Sequence, residues 1–430
     1  MDRSAPPTDL PADAAAVAAI DAVFREHHAR ALASLIRALR DFDIAEDALQ
    51  DAFATALVHW PREGQPANPC AWLILTARRK ALDRLRREST GVRKAQEAAV
   101  LAEIERSDGG TPVTTAFEDD RLRLIFTCCH PSLAPESRVA LTLRTLCGLS
   151  TPEIARAFLV EEPALAQRIV RAKRKIRDAG IPYDVPGEAA LPERLGSVLS
   201  VIYLVFNEGY AATTGAELVR RDLCNEAIRL ARLLTTLMPD EPECFGLLAL
   251  MLFHDSRRDT RTAPNGDVVL LEDQDRTRWD RPEIEEGVLA LARAGRIELA
   301  GPYQLQAAIA AFHATSPSPV LTRWDEIAAL YKRLNALSPS PVIELNHAVA
   351  VAMAEGPARG LLLIDALVIR GELERYHLLH AARADLLRRL NRLPEAADAY
   401  RLALTFATNE PDRRFLQSRL TQVTTPTSGD

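Results

Sequence analysis

At 430 residues the chain exceeds the roughly 250 to 300 residues over which a single hydrophobic core grows, so more than one module is expected. With 47% hydrophobic and 26% charged residues there is ample apolar material to bury, which excludes a chain disordered throughout. The formal net charge of -6 hides an asymmetry: residues 1–180 carry 26 basic and 25 acidic side chains, and residues 181–430 carry 27 and 34. The acid excess lies in the second half, so a polyanionic partner is not excluded for the first.

Aromatic residues make up 5% of the chain while Ala, Leu, Arg and Glu dominate. That composition predicts an all-α fold, because straight side chains lose little rotamer freedom in a helix. No apolar run approaches the roughly 20 residues that span a bilayer, and the N-terminus lacks the charged-then-apolar order of a signal peptide, so a cytoplasmic location is expected. Cys70, Cys128, Cys129, Cys147, Cys224 and Cys244 are scattered along a long chain and read as reduced thiols.

In chain order, residues 1–16 form a Pro/Ala/Asp-rich lead expected to be disordered. Residues 17–88 show apolar helical spacing in three segments, broken at Asp41-Phe42-Asp43 and from Pro61 to Pro69, and read as a three-helix unit. A linker of mixed charge occupies 89–117 and includes the flexible Ser107-Asp108-Gly109-Gly110-Thr111-Pro112. A second helical unit is expected over 118–180. The Gly- and Pro-containing stretch 180–187 marks a boundary, 181–422 is again helical with its main interruption at 257–282, and 423–430 is a polar tail.

Within the C-terminal part Ala348, Gly360, Ile364 and Leu367 recur 36 residues later as Ala384, Ala396, Tyr400 and Ala403. Small residues at such offsets let antiparallel helices approach closely, and the period is near that of tetratricopeptide repeats. Ala227, Leu234 and Pro239 fit another copy. A helical bundle with coincidental small residues is the alternative.

Leu149-Ser-Thr-Pro-Glu-Ile154 predicts a helix start, with Ser150 and Glu153 forming a capping box and Pro152 in the first turn. The helix turns at Val160-Glu161-Glu162 and restarts at Pro163, which is helix-turn-helix spacing. In the second helix Leu165, Ile169, Ala172 and Ile176 share one face, while Gln167, Arg168, Arg171, Arg174 and Lys175 project elsewhere. A reading helix needs this division, since one face packs and the other offers guanidinium forks to guanine edges and phosphates. A solvated basic helix is the blander reading. Earlier, Asn68 caps and Pro69 starts a helix carrying Trp72, Leu73 and Leu75, then Arg78, Arg79, Lys80, Arg84, Arg86 and Arg87. Aromatic and basic groups on one element suit unpaired bases, although Trp72 taken alone reads as core rather than as a base platform.

The stretches DIAEDALQDAFATAL, NPCAWLILTARRKALDRLRR and LSTPEIARAFLVEEPALAQRIVRAKRKI, in this order and with a linker between, resemble the two domains of extracytoplasmic-function sigma factors. Later stretches such as VIYLVFNEGYAATTG, LLEDQDRTRWD and RADLLRRLNRLPEAADAY resemble the subgroup with a C-terminal tetratricopeptide extension, so the likeness covers almost the whole chain. The resemblance implies a sigma region 2 domain over 17–88, a region 4 helix-turn-helix over 118–180 and a repeat domain over 181–422. It implies core RNA polymerase (the beta-prime clamp and the flap) and promoter DNA as partners; a protein partner on the repeats, the sigma domains or polymerase, is expected because a concave repeat surface binds proteins. Glu46, Asp47, Gln50 and Asp51 match the clamp-binding helix. Residues 61–68 match the loop that holds an extruded minus-ten base, and Asn68, Trp72, Arg79, Lys80 and Asp83 match the adjoining helix, where Arg79 replaces the amide found in many members. Arg168, Arg171 and Lys173 match the basic positions of the reading helix.

Neither a cofactor nor a metal is expected. Cys128-Cys129-His130 lacks a paired CxxC, and adjacent cysteines converge poorly on one tetrahedral ion. Glu272, Asp273 and Asp275 sit beside Arg276, Arg278 and Arg281, which favours salt bridges over cation binding. No GxGxxG, GxxxxGK, GxSxG or HExxH occurs, and His254-Asp255 alone is not a catalytic pair. A non-enzymatic initiation factor is therefore the leading expectation. A helix-turn-helix regulator with a repeat sensor follows it, and an enzyme centred on 254–282 is the weakest.

Overall fold

Three helices open the chain, and their limits follow from local chemistry. α1 (Ala12–Leu39) ends where Arg40 adopts a left-handed φ of 52°. Asp41 then caps α2 (Phe42–Glu63), its Oδ1 accepting from the Asp43 and Ile44 amides at 2.8 and 3.0 Å. α2 stops at Gly64, whose φ of 87° a side chain would strain. α3 (Pro69–Glu88) starts on Pro69 with Asn68 Oδ1 accepting from Ala71 N at 3.0 Å. The computed structural model describes residues 12–88, 113–158, 160–210, 221–263, 267–297, 300–408 and 410–425. Most of the expected lead, the 89–112 part of the expected linker and the end of the expected tail lie outside the described residues.

α4 (Val113–Cys128) begins five residues ahead of the expected start at 118, since no Pro or Gly after Pro112 stops the helix from running back. The helix-turn-helix follows as α5 (Pro135–Thr145), α6 (Thr151–Ala157) and α7 (Glu162–Asp178). Both halves of the predicted capping box are present: Glu153 Oε2 accepts from Ser150 N at 2.7 Å, and Ser150 Oγ accepts from Glu153 N at 3.4 Å. α8 (Leu191–Tyr210) comes next.

The chain divides into two compact units, residues 1–201 and 202–430. In the first, α1, α2 and α3 pack together and α4 lies against α1. The Gly180–Gly187 stretch is anchored here. Gly180 turns the chain at φ 60°, the Tyr183 hydroxyl donates to Ala33 O at 2.8 Å, and Pro182 O accepts from Thr127 Oγ1 at 3.3 Å. Burial pushes the Tyr183 hydroxyl well above its usual value. Asp120 of α4 is 0% exposed, yet its Oδ1 lies 3.0 Å from Arg37 Nε of α1 and 2.9 Å from Arg123 Nη1. A buried carboxylate so paired holds two helices at one spacing, since losing its cations leaves an uncompensated charge. The first residues of α8 belong to this unit as well: Arg194 Nη2 donates to Phe126 O at 2.9 Å and Ser197 Oγ to Cys129 O at 2.6 Å.

The second unit is also helical throughout its described length apart from one irregular segment. α9 (Arg221–Leu237), α11 (Arg281–Ala294) and α12 (Pro302–Thr315) pack around α10 (Pro242–Asp255), which is buried along nearly its whole length. Gly246 permits this crossing, because a Cβ there would sit 2.7 Å from Gln304 N. α13 (Trp324–Leu337), α14 (Pro341–Glu355), α15 (Pro357–Ile369), α16 (His377–Arg389), α17 (Leu393–Phe406) and α18 (Glu410–Thr424) complete it. α14 and α15 form one helix pair and α16 and α17 the next, and all eight residues of the 36-residue repeat are buried between them. At Gly360 a Cβ would meet Ala352 Cβ at 2.3 Å, so the small residue sets the spacing of that pair.

The interruption, 256–280, is held by Trp279 Nε1 donating to Thr260 Oγ1 at 3.0 Å and by an isolated antiparallel bridge between Thr262 and Val268. Among the described residues the salt bridges expected around Glu272, Asp273 and Asp275 do not form. Arg276 instead donates to His313 O and Ser316 O at 2.7 and 2.6 Å, filling the carbonyls at the end of α12. Asp275 caps Thr277 N at 3.0 Å. Beside this segment Arg258 bridges the fully buried Asp255 and Glu283.

Burial, with Asp255 alongside, pushes the Glu283 carboxyl up to about 7, and burial raises Asp255 as well. A carboxyl that binds its proton more tightly when folded stabilises fully below its unfolded value, here about 4.5, and loses that contribution as pH rises through about 7. Thermal stability is therefore expected to fall between about pH 5 and 8. Calorimetry of Glu283→Gln, which keeps a neutral hydrogen-bonding group, should show a flatter dependence; an unchanged slope would remove this assignment. In the first unit, Tyr183→Phe should cost about 0.5–1.5 kcal/mol of stability in denaturant titration, the usual net worth of one hydrogen bond, since Ala33 O keeps its place in the α1 backbone ladder.

Candidate nucleic-acid interface

The helix expected to read DNA, α7, folds as its spacing requires. Leu165, Ile169, Ala172 and Ile176 of α7 are buried, which turns the polar positions outward. Gln167, Arg171, Arg174 and Lys175 are exposed and Arg168 is half-buried. Arg174 Nε lies 3.1 Å from Asp178, and Lys175 Nζ donates to Ser132 O. Val170, 64% exposed between Arg168 and Arg171, adds an apolar contact of the kind that meets a thymine methyl.

On α3 the residues after the Asn68 cap divide similarly. Leu73, Ile74, Ala77 and Ala81 are buried, while Arg79, Lys80, Asp83 and Arg84 are exposed and Arg78 is half-buried. Trp72 is half-buried and meets Trp60 edge to face at 5.3 Å, so part of its ring packs and part faces solvent. Asn68, Arg79, Lys80 and Asp83 therefore share one accessible side of α3 with the rim of Trp72. Side chains of Arg86 and Arg87 lie outside the described residues.

The acidic positions of α2 do not all face solvent. Gln50 and Asp51 are exposed. Asp47 Oδ2 accepts from Arg84 Nη1 at 2.7 Å, which ties α2 to α3. Glu46, with 13% of its side chain exposed, lies 2.9 Å from Lys173 Nζ of α7 and 3.9 Å from Arg144 Nε of α5. Lys173, 11% exposed, also donates to Asp43 Oδ1 at 3.0 Å. Burial works to lower the Lys173 ammonium, but Glu46 and Asp43 outweigh it and hold its pKa above the usual value. The sequence suggests two independently folded units joined by a slack tether; the structure seats the second against the first. Lys173, expected beside Arg168 and Arg171 as a DNA-facing cation, here faces the carboxylates of α2. Nothing local signals a pair 127 positions apart; the hint is Asp43 and Glu46 one turn apart on α2.

A cavity of about 400 Å³ lies at this junction, lined among others by Arg37, Arg40, Asp43, Lys173, Arg177 and Tyr183. The Cys128 and Cys129 thiols are 3.2 Å from Thr145 Oγ1 and 3.5 Å from Thr142 Oγ1 respectively, both within helix packing. Burial pushes the Cys129 thiol up to about 11 and the Cys128 thiol further, so both stay protonated.

Lys173→Ala should loosen the reading helix from α2 without unfolding it. About tenfold faster amide exchange across 162–178 is expected, against little change for the exposed Arg171→Ala. Equal protection in both variants would show that the Lys173 pairing holds nothing.

Three family models match the chain: Sigma-70 region 2 over residues 23–90, Sigma-70 region 4 over 123–176, and a family of unknown function (DUF6596) over 194–295. An uncharacterized protein of Rhizobium meliloti is 44% identical over 409 residues, covering 93% of this chain and 95% of that protein. The probable ECF RNA polymerase sigma factor SigI of Mycobacterium tuberculosis is 29% identical over 167 residues, 39% of this chain and 57% of SigI. The ECF RNA polymerase sigma factor SigK of Mycobacterium ulcerans is 24% identical over 162 residues, 36% of this chain and 83% of SigK.

Proposed function

The chain belongs to the extracytoplasmic-function sigma factors and is an alternative sigma factor for transcription initiation; we propose that α2 engages the clamp of the polymerase beta-prime subunit and that α3 and α7 contact the minus-ten and minus-thirty-five elements. The observation that carries this reading is the pairing of two helices, α3 and α7, each with a packed apolar face and an accessible basic one, within a single compact unit. On α3, Asn68, Trp72, Arg78, Arg79, Lys80, Asp83 and Arg84 would meet the opened strand. A base leaving the stack costs a few kcal/mol, which stacking on an aromatic rim and contacts to the phosphates offset. On α7, Gln167, Arg168, Arg171, Arg174 and Lys175 would meet the duplex, with the region 4 domain also on the polymerase flap.

On α2, Gln50 and Asp51 are ready for a basic polymerase surface, whereas Asp47 and Glu46 must exchange partners. Glu46 already faces both Lys173 and Arg144 with 13% of its side chain exposed, so engaging the clamp through Glu46 would displace Lys173 and free it to join the DNA-facing set. The protein would act by binding, without catalysis of its own, in the cytoplasm where chromosome and polymerase meet. No helix among the described residues is long and apolar enough to cross a membrane. The helix pairs of the second unit, with Leu362 and Ile369 exposed on α15, would receive a protein partner and modulate activity as a repeat scaffold.

Run-off transcription from genomic promoters tests the reading. Specific transcripts are expected with core polymerase plus this chain and from neither alone; tight duplex binding without polymerase would favour a stand-alone regulator instead. Arg168→Ala and Arg171→Ala should each lower promoter use by about 1–3 kcal/mol equivalent if they reach bases, with a shallower salt slope if they reach phosphates. Ending the chain after Val201 tests the extension. A cut at Gly187 would also strip Arg194 and Ser197 from the first unit.

A further inference from the structure

The second unit holds a group of cations that the DNA-facing surfaces do not use. Arg261 places its guanidinium 3.5 Å from the Tyr210 ring centre and donates to Tyr210 O. Arg257 lies 5.7 Å from the same ring, with Nη2 3.3 Å from His254 Nδ1, and the Tyr210 and His254 rings are 5.1 Å apart. Arg276, 8% exposed, and His313 stand beside them at the end of α12.

Two independent features set this group apart. Among the described residues Arg257, Arg261 and Arg276 form no ion pair with a carboxylate, whereas the surrounding Arg221, Arg258 and Arg414 pair with Asp259, Asp255 and Asp267. Asp412, the carboxylate whose charge reaches Arg261, is engaged 3.2 Å from His377. Moreover the Tyr210 hydroxyl, His313 Nδ1 and Arg276 Nε are all buried without a hydrogen-bond partner. Burial and then Arg257 hold both His254 and His313 below the usual histidine range, His313 at about 4. Both rings are thus neutral near pH 7, and Arg257 donates to a histidine lone pair for want of a carboxylate. Half-buried guanidinium groups that repel one another and leave buried polar atoms unfilled are costly, and a bound anion relieves both costs at once.

We propose that Arg257, Arg261, Tyr210 and His254 form a binding site in the C-terminal unit for a small anion presenting a carboxylate or phosphate group. The planar forks of Arg257 and Arg261 suit two oxygens of such a group, and both side chains retain access to solvent. The proposal does not depend on the sigma reading, and its test involves no transcription.

The probes are inorganic phosphate and citrate, each against chloride at matched ionic strength, with thermal unfolding and calorimetric titration of the full-length protein. At roughly 100 times the dissociation constant, one arm should raise the unfolding midpoint of the C-terminal unit by about 2–5 °C. The arm that responds tells phosphate from carboxylate. Arg257→Gln and Arg261→Gln should each abolish the shift, Arg257→Lys should weaken binding about tenfold by losing the fork, and Arg414→Gln should leave it intact. A wild type that responds to neither anion beyond chloride overturns the proposal, as does a response that survives in both glutamine variants.

Discussion

The first unit depends on a carboxylate that has no access to water. Asp120 sits at 0% exposure between α1 and α4, where Arg37 and Arg123 both reach its carboxylate. α4 leads directly into the helix-turn-helix, so fixing α4 against α1 fixes where α7 falls. Tyr183 reinforces this from the far end of α7 by donating to Ala33 O on α1. With both ends of the helix-turn-helix tied to the first helical unit, α7 is placed so that Lys173 meets Asp43 and Glu46.

The consequence for function is a competition among like chemistries. The acidic face of α2 suits a basic protein surface, and the basic face of α7 suits a polyanion, so each is a fair substitute for the other's partner. The two ion pairs of Lys173, with Asp43 and Glu46, contribute on the order of 1–2 kcal/mol together, whereas polymerase and promoter DNA engaged as proposed would offer many contacts. A single lysine contact is therefore strong enough to set a resting arrangement and weak enough to yield to polymerase and DNA. Most of the polar face of α7 is not held back in this way: Gln167, Arg171 and Arg174 are exposed while Lys173 is engaged.

Much of the local architecture was legible in the sequence because it is governed by neighbours a few positions apart. Ser150 with Glu153, the Asn68–Pro69 start and the buried stripe Leu165, Ile169, Ala172 and Ile176 are all rules of helix geometry, and the structure contains each. The 36-residue spacing of Ala348 and Ala384 likewise found the facing positions of two helix pairs. What escaped is tertiary. The 180–187 stretch has the Gly and Pro content of a linker, but content says nothing about where a tyrosine hydroxyl will find a carbonyl 150 residues away. Arg276 stands next to carboxylates in sequence and turns instead to the carbonyls at the end of α12, which have no partner within the helix. Lys173 was read by position as one more basic residue of α7, and only the packing of α7 on α2 distinguishes it from Arg171.

The same contrast runs through the second unit and explains why its cations matter. Its helix pairs owe their closeness to small residues, Gly246 against Gln304 and Gly360 against Ala352, where any side chain would force the backbones apart. Helices packed at that distance hold the side chains at their ends with little freedom. His254 closes α10, His313 closes α12 and Tyr210 closes α8, and the 256–280 segment lays Arg257, Arg261 and Arg276 across those ends. Helix C-termini carry partial negative charge, which favours arginines there and accounts for Arg276 on the last carbonyls of α12. It does not account for Arg257, which meets a neutral imidazole, nor for the buried Tyr210 hydroxyl. Charge held rigidly where the fold itself gives it no counter-ion is a property of a recognition surface, because a merely structural arginine is free to find its carboxylate, as Arg258 does one residue along.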